Sequence, residues 1–232
     1  MEALTSLATA AGLGWASGVR LYAVVFFLGL LQFLGVYQMP ENLQSVANPW
    51  VMGASGFMFL VEFLADKIPG FDSVWDAAHT CVRIPAGALL AAAAVASGDP
   101  GMSVAAGILG GVAAAGSHVT KASTRALINT SPEPLSNWTA SATEDAASIG
   151  VAWTALMFPL VALGFLVVFF VLAIWLLLTR TRIGLIIQAS LTHPQMVSSL
   201  GHNVPRVFTI VFAGGCFLAG DRKSTRLNSS HT

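Results

Sequence analysis

Residues 160–178, LVALGFLVVFFVLAIWLLL, run without a charged or strongly polar side chain. A helix of about 20 such residues matches the hydrocarbon core of a bilayer, and no soluble surface could hydrate it. The rest of the chain carries the same constraint in weaker form, since 55% of its 232 residues are hydrophobic, 9% are charged and the mean hydropathy is +0.74. Soluble domains keep about 25% charged residues to hold their surfaces in water. The deficit excludes a soluble domain and implies an all-α, polytopic integral membrane helical bundle whose main partner is the lipid bilayer. Formal net charge is zero and the basic residues are scattered, which excludes nucleic acid as a partner. The N-terminus carries Glu2 and no basic region, so the first apolar stretch does not read as a cleavable leader.

Five stretches have span-like composition: about 18–36, preceded by an Ala-rich and separate short helix, then 49–65, 84–97, 102–117 and 146–178. The third and fourth are rich in Gly and Ala, which lets neighbouring backbones approach closely inside a membrane. Pro159 divides the fifth. About five or six membrane-embedded segments are therefore expected. Between them lie two polar segments, 66–83 and 118–145, expected as short or re-entrant helices. These segments hold Lys67, Arg83, Lys121 and Arg125, whereas 37–49 and 98–101 hold no Lys or Arg. Positive-inside reasoning places the polar segments and the N-terminus in the cytoplasm. Arg180 and Arg182 conflict with that topology if 146–178 crosses once. Cys81 and Cys216 lack metal-type spacing and are expected as buried thiols.

Three constellations of ionisable residues stand out. Asp72, Asp76, His79 and Arg83 recur at i, i+4, i+7 and i+11, one face of a helix. His118, Lys121, Arg125 and Asn129 recur at i, i+3, i+7 and i+11 and form a basic face. Arg20, Glu62 and Asp66 complete the set, and Glu62 lies inside an apolar span, where a carboxylate costs several kcal/mol unless it is paired or neutralised. Each stripe is open to a plain reading, as an interfacial helix face for the first and a headgroup-binding face for the second. In the functional reading the two stripes pair across a bundle and line a pathway. A partial repeat links Ala16-Ser17 and Arg20 with Ala122-Ser123 and Arg125, and Pro40-Glu41 with Pro132-Glu133. A duplication would favour an inverted-repeat architecture with breaks at Pro69-Gly70 and at Pro132 and Pro134.

The strings GWASGVRLY (14–22), ADKIPGFDSVWDAAHT (65–80), Arg83-x-Pro85 and HVTKASTRALINTSPEPLSNW (118–138) carry a family likeness. Through them residues 1 to about 178 resemble a bacterial membrane family described as domain of unknown function 4126. That resemblance implies a multi-pass protein of the bacterial inner membrane and assigns no activity. From Trp175 to Gly220 the text instead resembles a coupling segment and following span of branched-chain amino-acid ABC transporter permeases. Residues 221–232, DRKSTRLNSSHT, look like a translated adapter tail, non-native and disordered. Together these imply a chimeric reading frame with three parts, 1–178, 179–220 and 221–232, joined somewhere between about 158 and 182.

No phosphate-cradling glycine loop, serine elbow or zinc motif is present in the sequence, so neither an enzyme nor a cofactor or metal is expected. The leading expectation is a transporter or channel for a small solute or ion, with Arg20, Glu62, Asp66, Asp72, Asp76, His79, Arg83, His118, Lys121, Arg125 and Asn129 as its polar residues. A non-transporting scaffold or partner-binding subunit is the alternative, and a permease fragment a third. A homo-oligomer is compatible with each.

Overall fold

A computed structural model describes residues 1–68, 70–95, 99–130, 133–201 and 203–219. Among these residues the chain is helical, with no strand. It divides into two compact units, Met1–Phe169 and Phe170–Thr232. The first contains α1 (Glu2–Phe33), a short 3-10 segment Glu41–Ala47, α2 (Pro49–Ala65), α3 (Phe71–Ala94), α4 (Pro100–Ile128), α5 (Pro134–Met157) and the start of α6 (Pro159–Arg180). Prolines 49, 100, 134 and 159 each open a helix, where the missing N–H costs nothing. Asn48 and Asp99 cap two of these starts, accepting from Trp50 N (2.9 Å) and Gly101 N (2.8 Å).

Arg20 interrupts α1, with non-helical backbone angles of φ −143° and ψ 79°. Its side chain bonds Ser141 of α5. Before the break, Thr9 Oγ1 donates to Ala155 O (3.0 Å), and a Cβ built on Gly12 would lie 2.5 Å from Ala155 Cβ. Beyond it, Phe27 sets its ring 6.3 Å from Trp153. Both halves of α1 therefore run from Arg20 toward the same end of α5. The helix is a re-entrant hairpin with Arg20 at its tip.

Small residues weld the first half of α1 to α3 and α4. A Cβ on Gly14 would meet Gly110 Cα at 2.5 Å, one on Gly87 would meet Ala114 Cβ at 2.6 Å, and one on Gly18 would overlap the carbonyl oxygen of Ala114. Backbones this close gain dispersion where lipid supplies no hydrophobic drive between helices. Above them, Ala10, Ala91, Val95 and Ala106 close one end of the unit. Outward faces carry exposed Leu60, Leu64, Leu89, Val104, Ile108 and Leu109, as a lipid-facing surface requires. Among the described residues four helices, α1, α3, α4 and α6, are long and apolar enough to cross a membrane, and the 17-residue α2 is shorter. The hairpin keeps the length of α1 from adding up to a single crossing.

Several expectations change. The polar segments are not separate re-entrant helices: residues 71–83 are the first half of α3, 118–128 the last third of α4 and 134–145 the first half of α5. Each polar stripe continues an apolar span because its charges find partners within the bundle and the helix needs no interruption. The re-entrant element is α1. Pro159 does divide the fifth stretch, with Phe158 at φ −136° and ψ 66° between α5 and α6. The matched Arg20 and Arg125 of the partial repeat occupy unlike settings, a break and the last turn of a continuous helix. Cys81 is exposed on α3. Pro69, Ser131-Pro132 and the adapter-like residues 221–232 lie outside the described residues, as does the Cys216 side chain.

In the second unit the rest of α6 is followed by α7 (Arg182–Thr192), α8 (Pro194–Ser199) and α9 (Val204–Ala219). Thr181 caps α7 through Gly184 N at 3.1 Å. Gln188 Nε2 donates to Leu178 O (2.9 Å), and a Cβ on Gly184 would overlap the carbonyl oxygen of Leu177, so α7 folds tightly against the end of α6.

Gly18→Leu is expected to cost at least about 1–3 kcal/mol, since backbone atoms cannot yield as a flexible side chain would. Gly53→Ala, with open space around it inside α2, should not destabilise and should gain up to about 1 kcal/mol of helix propensity. Thermal denaturation of the two variants in detergent checks the contrast.

Candidate functional site

The break in α1 frees backbone carbonyls in a water-poor interior, where each must find a donor. Side chains of α4 supply them. Ser117 Oγ donates to Trp15 O (2.7 Å), and Lys121 Nζ donates to Val19 O (3.3 Å). At the tip, the guanidinium of Arg20 spreads between two helices. Nη1 lies 2.8 Å from Asp66 Oδ2, Nε lies 2.9 Å from Asp145 Oδ1, and Nη2 donates to Ser141 Oγ at 2.8 Å.

From there the ion pairs continue without a gap. Glu62 Oε1 receives Arg83 Nη2 at 2.5 Å and lies 3.5 Å from both Arg20 and Lys121. Arg83 Nη1 donates to Asp76 Oδ1 (2.7 Å), which is also 3.2 Å from Lys121 Nζ. Arg125 clamps Glu144 bidentately, Nε to Oε1 at 2.8 Å and Nη2 to Oε2 at 2.9 Å, and reaches Asp66 Oδ2 at 3.2 Å. Asn129 Nδ2 donates to both oxygens of Asp72 (2.8 and 3.1 Å), and Gly70 N and Ser73 N also donate to its Oδ1. His118 Nδ1 faces Arg83 Nη1 at 3.2 Å and can only accept there. Its ring is thereby a neutral tautomer that donates through Nε2 to Thr80 Oγ1 (2.8 Å).

Ten of the eleven polar residues named from the sequence meet in this one network, where Asp72, Asp76 and Arg83 of the first stripe face His118, Lys121, Arg125 and Asn129 of the second. Arg20 does not snorkel; it is fully buried. His79 stands apart. It is half-buried, its Nδ1 bonds Trp75 O at 2.9 Å, and its ring stacks on Trp75 with centroids 4.2 Å apart. A local carbonyl and an aromatic face hold it away from the ions. Glu144, Asp145, Ser141 and Asn137 of α5 were missed by sequence reasoning. Adjacent acids at the edge of an apolar stretch were the available signal. The positive-inside argument also loses its footing, because Arg83, Lys121 and Arg125 are bound in buried pairs, whereas Lys67 lies over the Phe63 ring.

Every ion pair among the described residues belongs to this cluster. Burying so many charges is costly unless geometry and further hydrogen bonds compensate. Compensation is incomplete: Glu62 Oε2, Asp66 Oδ1 and Asp76 Oδ2 are buried with no hydrogen-bond donor among the described residues. Burial pushes the Asp66 carboxyl above its ordinary range, against the pull of Lys121, Arg20 and Arg125. No group of three or more His, Cys, Asp or Glu among the described residues is arranged to hold a metal ion.

A groove of about 560 Å³ opens between α4 and α5 and reaches the cluster at Lys121 and Glu144. Thr120, Thr124, Ser136, Thr139 and Thr143 line it with hydroxyls, and Trp15, Val19 and Phe169 with apolar surface. Lys121 is the lining cation, and it lies 3.2–3.6 Å from four carboxylates without closing tightly on any of them.

A family model described as "Domain of unknown function (DUF4126)" matches residues 7–179. Neither a curated protein nor a solved structure matches the chain.

Removing one member of a buried pair leaves its partner charged and alone. Arg20→Met is expected to cost about 3–5 kcal/mol, or to prevent folding. Adding Asp145→Asn to that variant should recover part of the loss, because Asp145 has Arg20 as its ion-pair partner. Comparing denaturation of the wild type and the two variants in detergent measures both, and equal stability of all three would contradict the network's structural weight.

Proposed function

The chain belongs to the family described as Domain of unknown function (DUF4126), and on that premise, which supplies no activity, we propose that this membrane protein is a transporter or channel for a small solute or ion. The observation that carries the reading is the buried ionic network itself. Ionisable groups inside a membrane protein are expensive and typically mark pathways or relays. Here they gather at the tip of a broken helix, the arrangement by which transporters present backbone and charge to a solute. The groove between α4 and α5 supplies a route to them, ending on Lys121 and Glu144.

Each part has a role in this reading. Arg83 and Arg125 hold their carboxylates at short range and act as fixed frame. Lys121 is the adjustable element, since one ammonium with three donors stands among four carboxylates and a backbone carbonyl. A solute reaching the groove floor competes for Lys121 or Glu144 and redistributes the remaining contacts. Burial of both stripes favours this over the scaffold alternative, which calls for stripes open to water. The family description leaves solute, direction and bacterial inner-membrane location as matters for experiment.

Light-scattering of proteoliposomes under gradients of potassium chloride, ammonium chloride, glycerol and urea tests the proposal across salts and neutral solutes alike. Wild-type vesicles should relax faster than protein-free vesicles for at least one probe. Lys121→Met and Glu144→Gln should lose most of that excess rate. Wild-type vesicles as tight as protein-free ones to every probe would remove the reading.

A further inference from the structure

We infer that the carboxylates of the buried network form a proton-binding site that holds about one to two exchangeable protons at neutral pH. The inference deepens the transport reading by naming an ion, and rests on that reading only for the idea that those protons move.

Charge balance is the first observation. Six carboxylates, those of Glu62, Asp66, Asp72, Asp76, Glu144 and Asp145, share four cations, Arg20, Arg83, Lys121 and Arg125. His118 on α4 adds no charge, since Arg83 fixes its neutral tautomer. Tyr22 on α1 sets its ring edge-on to His79 at 5.8 Å, and a phenol adds none either. Lys67, just past α2, sits at the rim with its ammonium 2.8 Å from the Phe63 ring centroid. It offsets at most one of the two excess negative charges. A surplus charge buried at low dielectric is discharged by taking up a proton in preference to bearing the full desolvation cost.

Geometry then says where the protons go. Glu144 has both oxygens clamped by Arg125, and Asp72 has both held by Asn129 with two backbone N–H groups on Oδ1. Neither carboxylate has an oxygen left without a donor. Glu62, Asp66 and Asp76 each direct one oxygen at the cations and leave the other without a donor among the described residues, while their side chains are 0–2% exposed. A proton on any of these oxygens lowers the surplus without breaking an ion pair. Because the three acids share Lys121, they titrate as one coupled system.

Infrared spectroscopy of the full chain in maltoside detergent, which has no ester carbonyl, reads protonated carboxyls directly. Glu2, Glu41, Asp99 and Glu133 are exposed and lie apart from the network, so substitutions within it leave any signal of theirs unchanged. The wild type is expected to show a carbonyl band of neutral carboxylic acid that shifts in heavy water and bleaches as pH rises. Glu62→Gln, Asp66→Asn and Asp76→Asn each remove one negative charge, so each should reduce the band by on the order of half. Absence of the band in the wild type overturns the inference, as does a band unchanged in all three variants. Should the variants fail to fold, the titration of the wild type decides alone. Solute flux without the band leaves transport standing and removes the proton; the band without flux does the reverse.

Discussion

Hydrocarbon tolerates neither free charge nor free backbone, and at Arg20 this chain places both at one point. The interruption of α1 leaves carbonyls that only side-chain donors can satisfy, and the arginine at the tip needs carboxylates. Ser117 and Lys121 answer the first need, and Asp66 and Asp145 the second. The remaining charges follow from these, because each newly buried acid calls for a base and each base for another acid. The close contacts of Gly14, Gly18 and Gly87 with α4 bring the backbones near enough for short side chains such as Ser117 to reach across.

Much of the site was legible because helical spacing is strict. Once Asp72, Asp76 and Arg83 fall on one face and His118, Lys121, Arg125 and Asn129 on another, an apolar environment leaves the two faces little choice but to meet. Glu62 was legible for the same reason, as a carboxylate inside a span. The hairpin was not, since Gly-Val-Arg-Leu-Tyr carries no proline and no turn chemistry, and a lone arginine in an apolar run is equally consistent with snorkelling. What reverses the chain is tertiary: four carboxylates gathered around Arg20. His79 shows the opposite failure. Its position on the wheel was right, but an aromatic neighbour four residues back captured the ring.

Reading the polar segments as separate elements came from treating polarity as a boundary signal. In water a change from apolar to charged composition often ends a helix, because the charged part is then at a surface. In this bundle α3 and α4 continue through that change, since their charged thirds are as buried as the apolar ones. The same misplacement undid the use of Arg83, Lys121 and Arg125 as topology markers, because a cation neutralised inside a bundle feels little of the field that orients a loop.

The small-residue seam has a mechanical consequence. With backbones at closest approach, the first half of α1 cannot slide on α3 and α4 without atoms colliding, so these three segments move as one block. The fifth helix is joined to α1 and α4 through its acids, through Ser141 and through Ala155, and it ends at an interrupted residue, Phe158. Any widening of the cleft along its side must draw Glu144 away from Arg125. The breadth of the cleft and the ionic state of its floor are therefore a single degree of freedom, and a latch made of charge responds to whatever alters charge.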